Sequence, residues 1–321
     1  MDTSLRPALR NPSRSRLVFF GVFLVLYALT LIIAERVVGR AGSETAFQKL
    51  YLAQGKQVDW LVLGASHALP LEYGDVPARV LRDSGQSMKV LAEIGAGPIY
   101  NRFIFEQALH DLDVKNLIYV VDSFAFSSKE WNESRLTDRT LLRHTPLRLS
   151  TVRILTNLSL RFRVDPRGLL DYLTGFSKLN SVNRFSLDGW QGAANFDHSF
   201  RLSRYAVSSR ISYLYPDNPP ESDTVSRYLD AFDGLLKLAN AEGIDVIVVK
   251  LPIPSVFRNS LPDEMAFDAA LQNRLSVHDI VLQDLSATLP DLNFYFDTDH
   301  LNMAGVDALY QNDFISLLMA Q

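Results

Sequence analysis

The chain contains no cysteine. Disulfides, thiolate metal centres and cysteine nucleophiles are therefore excluded, whatever compartment the protein occupies. A large excess of charge of either sign is also missing. There are 32 Lys and Arg against 36 Asp and Glu, a formal net charge of −4, so no general affinity for polyanions follows and nucleic acid is not an expected partner. Internal repeats and low-complexity tracts are absent too. What remains is a 321-residue chain, 47% hydrophobic, long enough for one large α/β domain with an additional segment.

Long apolar runs are scarce, with one exception near the N-terminus. Leu17 to Ala34 (LVFFGVFLVLYALTLIIA) is 18 residues without a formal charge, enough to cross a hydrocarbon core that needs ~20 residues of helix. Arg6, Arg10, Arg14 and Arg16 precede it, and only Arg36 and Arg40 follow closely. That asymmetry places residues 1–16 in the cytoplasm, 17–34 in the membrane and the body from about 43 to 321 on the exported side. The rival is a cleaved signal peptide with Ala41-Gly42-Ser43 as its cleavage site. Such peptides have a shorter apolar core of ~7–15 residues, which favours an uncleaved anchor.

Beyond the anchor, Ser43 can cap a short helix from Glu44 to Gln54. Strand-favouring and helical patterns then alternate. Asp59–Leu63 reads as a strand, Tyr73–Asp83 as a helix and Lys89–Ile94 as a second strand. Ile99–Leu112 follows as a helix and Lys115–Val121 as a third strand, almost wholly apolar. Strand–helix alternation of this kind predicts a parallel sheet covered on both faces. Regularity resumes with a helix at Thr224–Ala241 and a strand at Asp245–Lys250. A helical stretch from about Asp263 to Leu285 follows, then a last strand at Leu292–Phe296 and a closing helix at Ala304–Met319.

The segment from about 125 to 220 interrupts this order and reads as a helical and loop insertion. Its part from Arg135 to Arg167 carries eight arginines (135, 139, 143, 148, 153, 161, 163 and 167) and two acids, Asp138 and Asp165. It is either a solvated basic face or a surface for anionic lipid or polymer. Phe176–Pro220 shows little periodicity and reads as a long loop. Within it, Trp190, Tyr213 and Tyr215 are placed either to stack on sugar rings or to pack locally.

Chemistry concentrates in two short stretches. The first strand ends in Gly64-Ala65-Ser66, small residues at a sharp turn, which sets Ser66 at the carboxyl end of a strand. By itself Ser66 is also an ordinary helix-capping serine. The second stretch, Asp297-Thr298-Asp299-His300, changes the balance. A serine hydroxyl needs a base to take its proton, and histidine has a suitable pKa. That histidine needs an acceptor on its other nitrogen to fix its tautomer. Parallel strands end on one sheet edge, so Ser66, His300 and Asp297 can converge as nucleophile, base and orienting acid.

Asp299 is the alternative orienter. Asp297, Asp299 and His300 could instead hold a metal, but no second histidine cluster lies within reach in sequence, and no metal is expected. His67 should point away from Ser66 and serve a structural role. His110, His144, His198 and His278 read as surface or packing residues. Oxyanion donors would be the amide of Ser66 and those of the turn Gly95-Ala96-Gly97. Asp122 ends the third strand, where it either lines the cleft or accepts hydrogen bonds.

Taken together, Gly64-Ala-Ser66, the glycines after the second strand and Asp297-x-x-His300 before the last helix resemble the SGNH/GDSL hydrolase superfamily. The combination GASH…GAGPIYN…VVDSFAF…DTDHLNMAG is similar to membrane-anchored, exported proteins of bacterial cell-surface modification. Among these are the alginate O-acetylation proteins and the D-alanyl transfer proteins of teichoic acid. The likeness covers roughly 57–125 and 222–320.

It implies a three-layer, flavodoxin-like fold, an acyl-serine intermediate without a cofactor, and acyl transfer to or from a surface polysaccharide or glycolipid. It also implies a multi-spanning membrane acyltransferase as partner. Plain esterase activity, and a non-catalytic assembly or binding role, are the alternatives. The superfamily's Gly-x-Asn after the third strand is replaced by Val121-Asp122-Ser123. Asn101 is the candidate to supply the missing side-chain oxyanion donor.

Overall fold

A computed structural model describes residues 12–40, 45–138, 142–180, 194–199, 203–220 and 223–320. Ser43, Arg139 and Trp190, singled out above, lie outside these residues, as does the Ala41-Gly42-Ser43 site.

The apolar run lies in a helix, α1 (Pro12–Arg40). Its Ser15–Val38 portion has a mean hydropathy of 2.8 and is long enough to cross a membrane. A second helix, α2 (Ala46–Leu52), is capped by Thr45, whose hydroxyl accepts from the Gln48 amide in a reciprocal capping box.

The body is built on a parallel sheet. Its strands are β1 (Gln57–Leu63), β2 (Met88–Val90), β3 (Asp113–Val120), β4 (Asp245–Lys250) and β5 (Leu282–Asp284), in the order β2-β1-β3-β4-β5. Side chains alternate between two apolar layers. Leu61, Leu63, Leu117, Tyr119 and Val248 face one, while Trp60, Val62, Ile118, Val120 and Val249 face the other. Helices cover both faces, which is why the strands read as continuous apolar runs rather than alternating ones.

The first layer holds α2 and α5 (Pro98–Asp111), together with α6 (Leu149–Phe162) from the insertion. Beyond α6 the insertion continues as α7 (Arg167–Thr174), α8 (Phe176–Asn180) and α9 (Arg204–Leu214). The long α10 (Thr224–Ala241) and α11 (Glu264–Leu275) complete that layer. The other layer contains α3 (Leu69–Tyr73), α4 (Val76–Ser84) and α12 (Met303–Leu309). The closing helix continues past α12 through a π turn at Tyr310–Phe314 to Met319.

Three expectations are corrected. The helical stretch ends at Leu275, and Asp279 takes a left-handed φ of 57°. Leu282–Asp284 then forms the fifth strand, because Leu282 and Asp284 register against Val248 and Lys250 of β4. Tertiary pairing overrides the local helical pattern there. Leu292–Phe296 is not a strand: it begins as a 3-10 turn, and only Tyr295 pairs, in a lone antiparallel bridge with Leu301. The region read as a long loop contains α8 and the longer α9, whose N-cap Ser203 accepts from the Ala206 amide.

The order 2-1-3 puts a topological switch point between β1 and β3, where doubly wound sheets open a crevice at their carboxyl edge. Ser66 follows β1 and Asp122 follows β3.

Candidate active site

Close backbone approach creates the Ser66 turn. A Cβ at Gly64 would lie 2.8 Å from the Val120 Cβ and 3.1 Å from the Val120 carbonyl. Only glycine lets β1 end this close to β3. The chain then makes one 3-10 turn, Ser66–Ala68, and runs into α3. On the other side, α12 leans on α3. A Cβ on Gly74 would come 2.4 Å from Val306 Cγ1.

The loop before α12 is fastened at its base. The Asn302 amide donates to Phe294, and its side chain accepts from Gly305 and donates to Asn293. The Phe296 amide donates to His300, so Asp297–Asp299 forms the tip of a tight loop. Packing of α12 on α3 brings that tip to Ser66. The sheet-edge argument made from sequence required a strand before Asp297, and the chain achieves the meeting without one.

Ser66 Oγ lies 2.9 Å from His300 Nε2, and His300 Nδ1 lies 2.8 Å from an Asp297 oxygen. Asp297 Oδ1 also accepts the backbone amides of Asp299 and His300, at 3.0 and 2.8 Å. With Nδ1–H donating to Asp297, the Nε2 lone pair faces the serine hydroxyl. The His300 ring stacks on Phe296, 10° from parallel. Ser66 and His300 are both buried, whereas the Asp297 carboxylate is partly open to solvent.

A second histidine is built into the same site. His67 is buried, with Nδ1 2.5 Å from Asp122 and Nε2 2.9 Å from Asp299. Burial alone would lower its pKa, but the two carboxylates outweigh burial and push it up to about 10. His67 is therefore an imidazolium at neutral pH, donating from both nitrogens. Asp299 accepts from His67, from the Arg210 guanidinium at 2.8–3.1 Å and from Thr298 at 2.6 Å. Burial opposes its ionisation, yet His300, His67 and Arg210 hold it well below the usual carboxylate range.

The candidate orienters thus divide. Asp297 takes the short bond to His300. Asp299 stands 3.6 Å from the same nitrogen and serves His67 and Arg210. The His67 side chain does not reach Ser66, as the sequence suggested, but it is part of the site. Arg210 was not foreseen: it sits in a segment without a motif, and its partner is far away in sequence.

A ring nitrogen of His67, an Asp299 oxygen and a His300 nitrogen lie within 4.8 Å of one another, close enough to hold a cation. Both His67 nitrogens are protonated and committed to carboxylates, however, and Arg210 already compensates Asp299. The arrangement suits proton and hydrogen-bond chemistry better than coordination.

The proposed oxyanion donors are placed differently from expectation. The Ala96 amide donates to Glu93 and the Gly97 amide to Trp131. Cβ atoms at Gly95 and Gly97 would meet the Trp131 ring and the Asn132 amide, at 2.5 Å in each case. These glycines admit the Trp131–Asn132 segment rather than an incoming ligand. Asn101 is buried, and its Nδ2 donates to Ala96 and Tyr119. Among the described residues no acceptor takes the Ser66 amide, which opens the 3-10 turn and remains a donor beside its own hydroxyl.

Asp122 holds His67 with one oxygen and lines a cavity of about 220 Å³ together with His67, Ser123, Tyr215, Lys250 and Glu264. In its wall Lys250 pairs with Glu264 and Asp268, and Ser123 contacts both Glu264 and Tyr215. A larger cavity of about 750 Å³ lies between α5 and α6, around Arg102, Arg148 and Arg153, and includes no residue of the Ser66 site. His278 bonds Asp233, His110 and His198 are exposed, and His144 is buried.

No protein-family model matches the chain, and no curated protein matches it. The residues of the site therefore carry the functional argument.

Proposed function

We propose that this chain is a serine-dependent acyl-transfer enzyme of the SGNH/GDSL type, tethered to a membrane by α1. The observation that carries the reading is the continuous line Ser66–His300–Asp297 at hydrogen-bond distances. Ser66 Oγ attacks the carbonyl carbon of an ester donor while His300 Nε2 takes its proton. The tetrahedral intermediate collapses, His300 returns that proton to the departing alkoxide, and the acyl group stays on Ser66. An acceptor hydroxyl then gives its proton to His300 and attacks the acyl carbon. Ser66 leaves and is reprotonated. Asp297 holds the tautomer and supports the transient imidazolium.

The acyl group is of the O-acetyl type, and the acceptor is a polysaccharide or glycolipid hydroxyl on the exported side of a bacterial inner membrane. The resemblance drawn from sequence supports this choice, and so does one feature beside the site. Tyr213 is exposed, packs edge-on against Trp131 and lies under Arg210, the residue that grips Asp299. It gives a flat apolar surface next to the catalytic loop, suited to a sugar ring. Tyr215 is buried on Ser123 and is not such a surface. Because one helix cannot carry an acyl group across a bilayer, a multi-spanning acyltransferase would supply it. With water as acceptor the same steps give an esterase.

One observation favours a second reading, a non-catalytic binding subunit: two of the three glycine-turn amides are already engaged. A fluorophosphonate probe on the full-length protein separates the readings. Labelling that disappears in Ser66→Ala supports the enzyme, and no labelling of folded wild type supports the binding role. Turnover of a simple acetyl ester that rises with added oligosaccharide identifies transfer rather than hydrolysis.

A further inference from the structure

The insertion has its polarity reversed where it meets α1. On α7, Leu170 and Leu173 face outward, as does Phe176 at the start of α8, and all three are exposed. Asp171 and Tyr172 of the same helix face inward and are buried. Asp171 is satisfied there by the amide and hydroxyl of Ser177. A helix bordering water turns its leucines in and its aspartate out. This one does the opposite, over a patch continuous with the apolar surface of α1.

The contacts with α1 fix how deep that patch lies. Tyr27, Leu31, Ala34 and Val38, one face of α1, are less exposed than their neighbours. The Tyr27 hydroxyl donates to the Thr174 carbonyl at 2.7 Å. A Cβ at Gly175 would strike Leu31 Cδ1 at 2.3 Å, so the α7–α8 corner sits directly against the helix. Lys178 pairs with Glu35 at 2.5 Å, and Glu35 also accepts the Leu147 amide. Glu35 is the first charged residue after the apolar run.

Tyr27 precedes Glu35 by eight residues, or ~12 Å at ~1.5 Å per residue. From Arg167, whose guanidinium is exposed, α7 runs seven residues to Thr174, or ~10 Å of helix. Half a hydrocarbon core is ~15 Å. With α1 spanning and Glu35 at the boundary, the Tyr27–Glu35 spacing sets the Thr174 carbonyl well inside one leaflet. The corner's backbone is prepared for that setting: the Gly175 amide donates to Asp171, and Tyr27 takes up a helix-end carbonyl that would otherwise need water. Arg148 follows the residue held by Glu35 in sequence and lines the larger cavity with Arg102 and Arg153, where Asp111 and Glu106 pair with Arg148 and Arg102.

We infer that the α7–α8 corner is immersed in the acyl chains of the leaflet from which Glu35 emerges, docking the body against the bilayer in a fixed orientation. The inference rests on the reading of α1 as a membrane-spanning helix.

The absence of cysteine makes the test direct. Single variants Leu173→Cys, Phe176→Cys, Leu26→Cys on α1 and Val277→Cys on the body carry a nitroxide in the full chain. The chain is reconstituted into vesicles of phosphatidylcholine and phosphatidylglycerol. Power saturation compares relaxation by oxygen, which concentrates in lipid, with relaxation by a water-soluble nickel chelate. Leu173 and Phe176 should follow Leu26, keeping the oxygen effect and losing the nickel effect. If they follow Val277 while Leu26 stays lipid-exposed, the inference is overturned and α1 still spans. If they respond to neither agent, protein covers the patch and the inference also fails. If Leu26 itself is open to nickel, the spanning reading falls and takes the inference with it.

Discussion

His67 and His300 stand edge to face, ring centroids 5.0 Å apart, with Asp299 between their nitrogens. One ring is a fixed cation held by two carboxylates. The other sets its Nε2 2.9 Å from the Ser66 hydroxyl. The fixed cation and its two carboxylates thus pack directly against the ring that meets the Ser66 hydroxyl.

Stability should record the charge on His67. Its folded pKa, about 10, lies above its ordinary value of 6.5. A raised value of this kind stabilises fully below pH 6.5 and is lost as pH climbs through 10, an interval corresponding to at most about 5 kcal/mol. His67→Gln removes that dependence and leaves Asp122 and Asp299 without their shared cation, costing roughly 3–5 kcal/mol near pH 6. Urea unfolding from pH 6 to 10 should show wild type and variant converging as pH rises. Parallel curves would mean that His67 is not the imidazolium described above.

The two aspartates of the loop should respond in opposite ways. Asp297→Asn keeps the oxygen that accepts the amides of residues 299 and 300, so the loop survives. Its amide nitrogen replaces Oδ2, the nearer acceptor at 2.8 Å, and only Oδ1, at 3.0 Å and shared with two backbone amides, is left for His300 Nδ1. Reaction of Ser66 with fluorophosphonate should slow on the order of 10⁴-fold with little change in Tm. Asp299→Asn strips the counter-charge from the partly exposed Arg210 and one of the two from the buried His67, and should destabilise by roughly 3 kcal/mol. A large rate loss at Asp299 with normal stability would exchange the two roles.

Gly64 offers a test of the turn itself. Gly64→Ala places a methyl 2.8 Å from the Val120 Cβ, an overpacking that costs roughly 1–3 kcal/mol. Val120→Ala should not rescue it, because the clashing Cβ is retained. A double-mutant cycle by thermal unfolding measures this. Rescue by Val120→Ala would show that β1 and β3 separate more easily than the packing indicates.

These sites differ in how far sequence exposed them. The meeting of Ser66, Asp297 and His300 was legible because a hydroxyl, an imidazole and a carboxylate pair naturally and because Gly64 and the loop give them local signatures. The helix Thr224–Ala241 and the strand Asp245–Lys250 were legible from apolar period alone. β5 was not: three residues become a strand only because β4 offers an edge. Arg210 was hidden for a related reason. Its role depends on α9, a helix without a clean apolar stripe, reaching a loop 89 residues away. The engaged glycine amides depend on Trp131 and Asn132, which no local pattern connects to residues 95–97.

A further pH effect should arise at Glu93, just after β2. Its amide donates to the Gly64 carbonyl, and its carboxylate accepts the Ala46 amide at 2.6 Å. Burial pushes its pKa from 4.5 to about 7, although Ala46, Lys49 and Arg135 pull the other way. The sign follows from that direction: the folded state holds the proton more tightly, so stability is full below pH 4.5 and declines as pH rises through 7. Glu93→Gln keeps an oxygen for Ala46 and removes the buried charge. The variant should equal wild type near pH 4.5 and exceed it at pH 8, by at most about 3 kcal/mol. Urea unfolding at the two pH values decides the matter. A variant no more stable than wild type at pH 8 would mean that Glu93 is ionised at no cost, with Lys49 and Arg135 outweighing its burial.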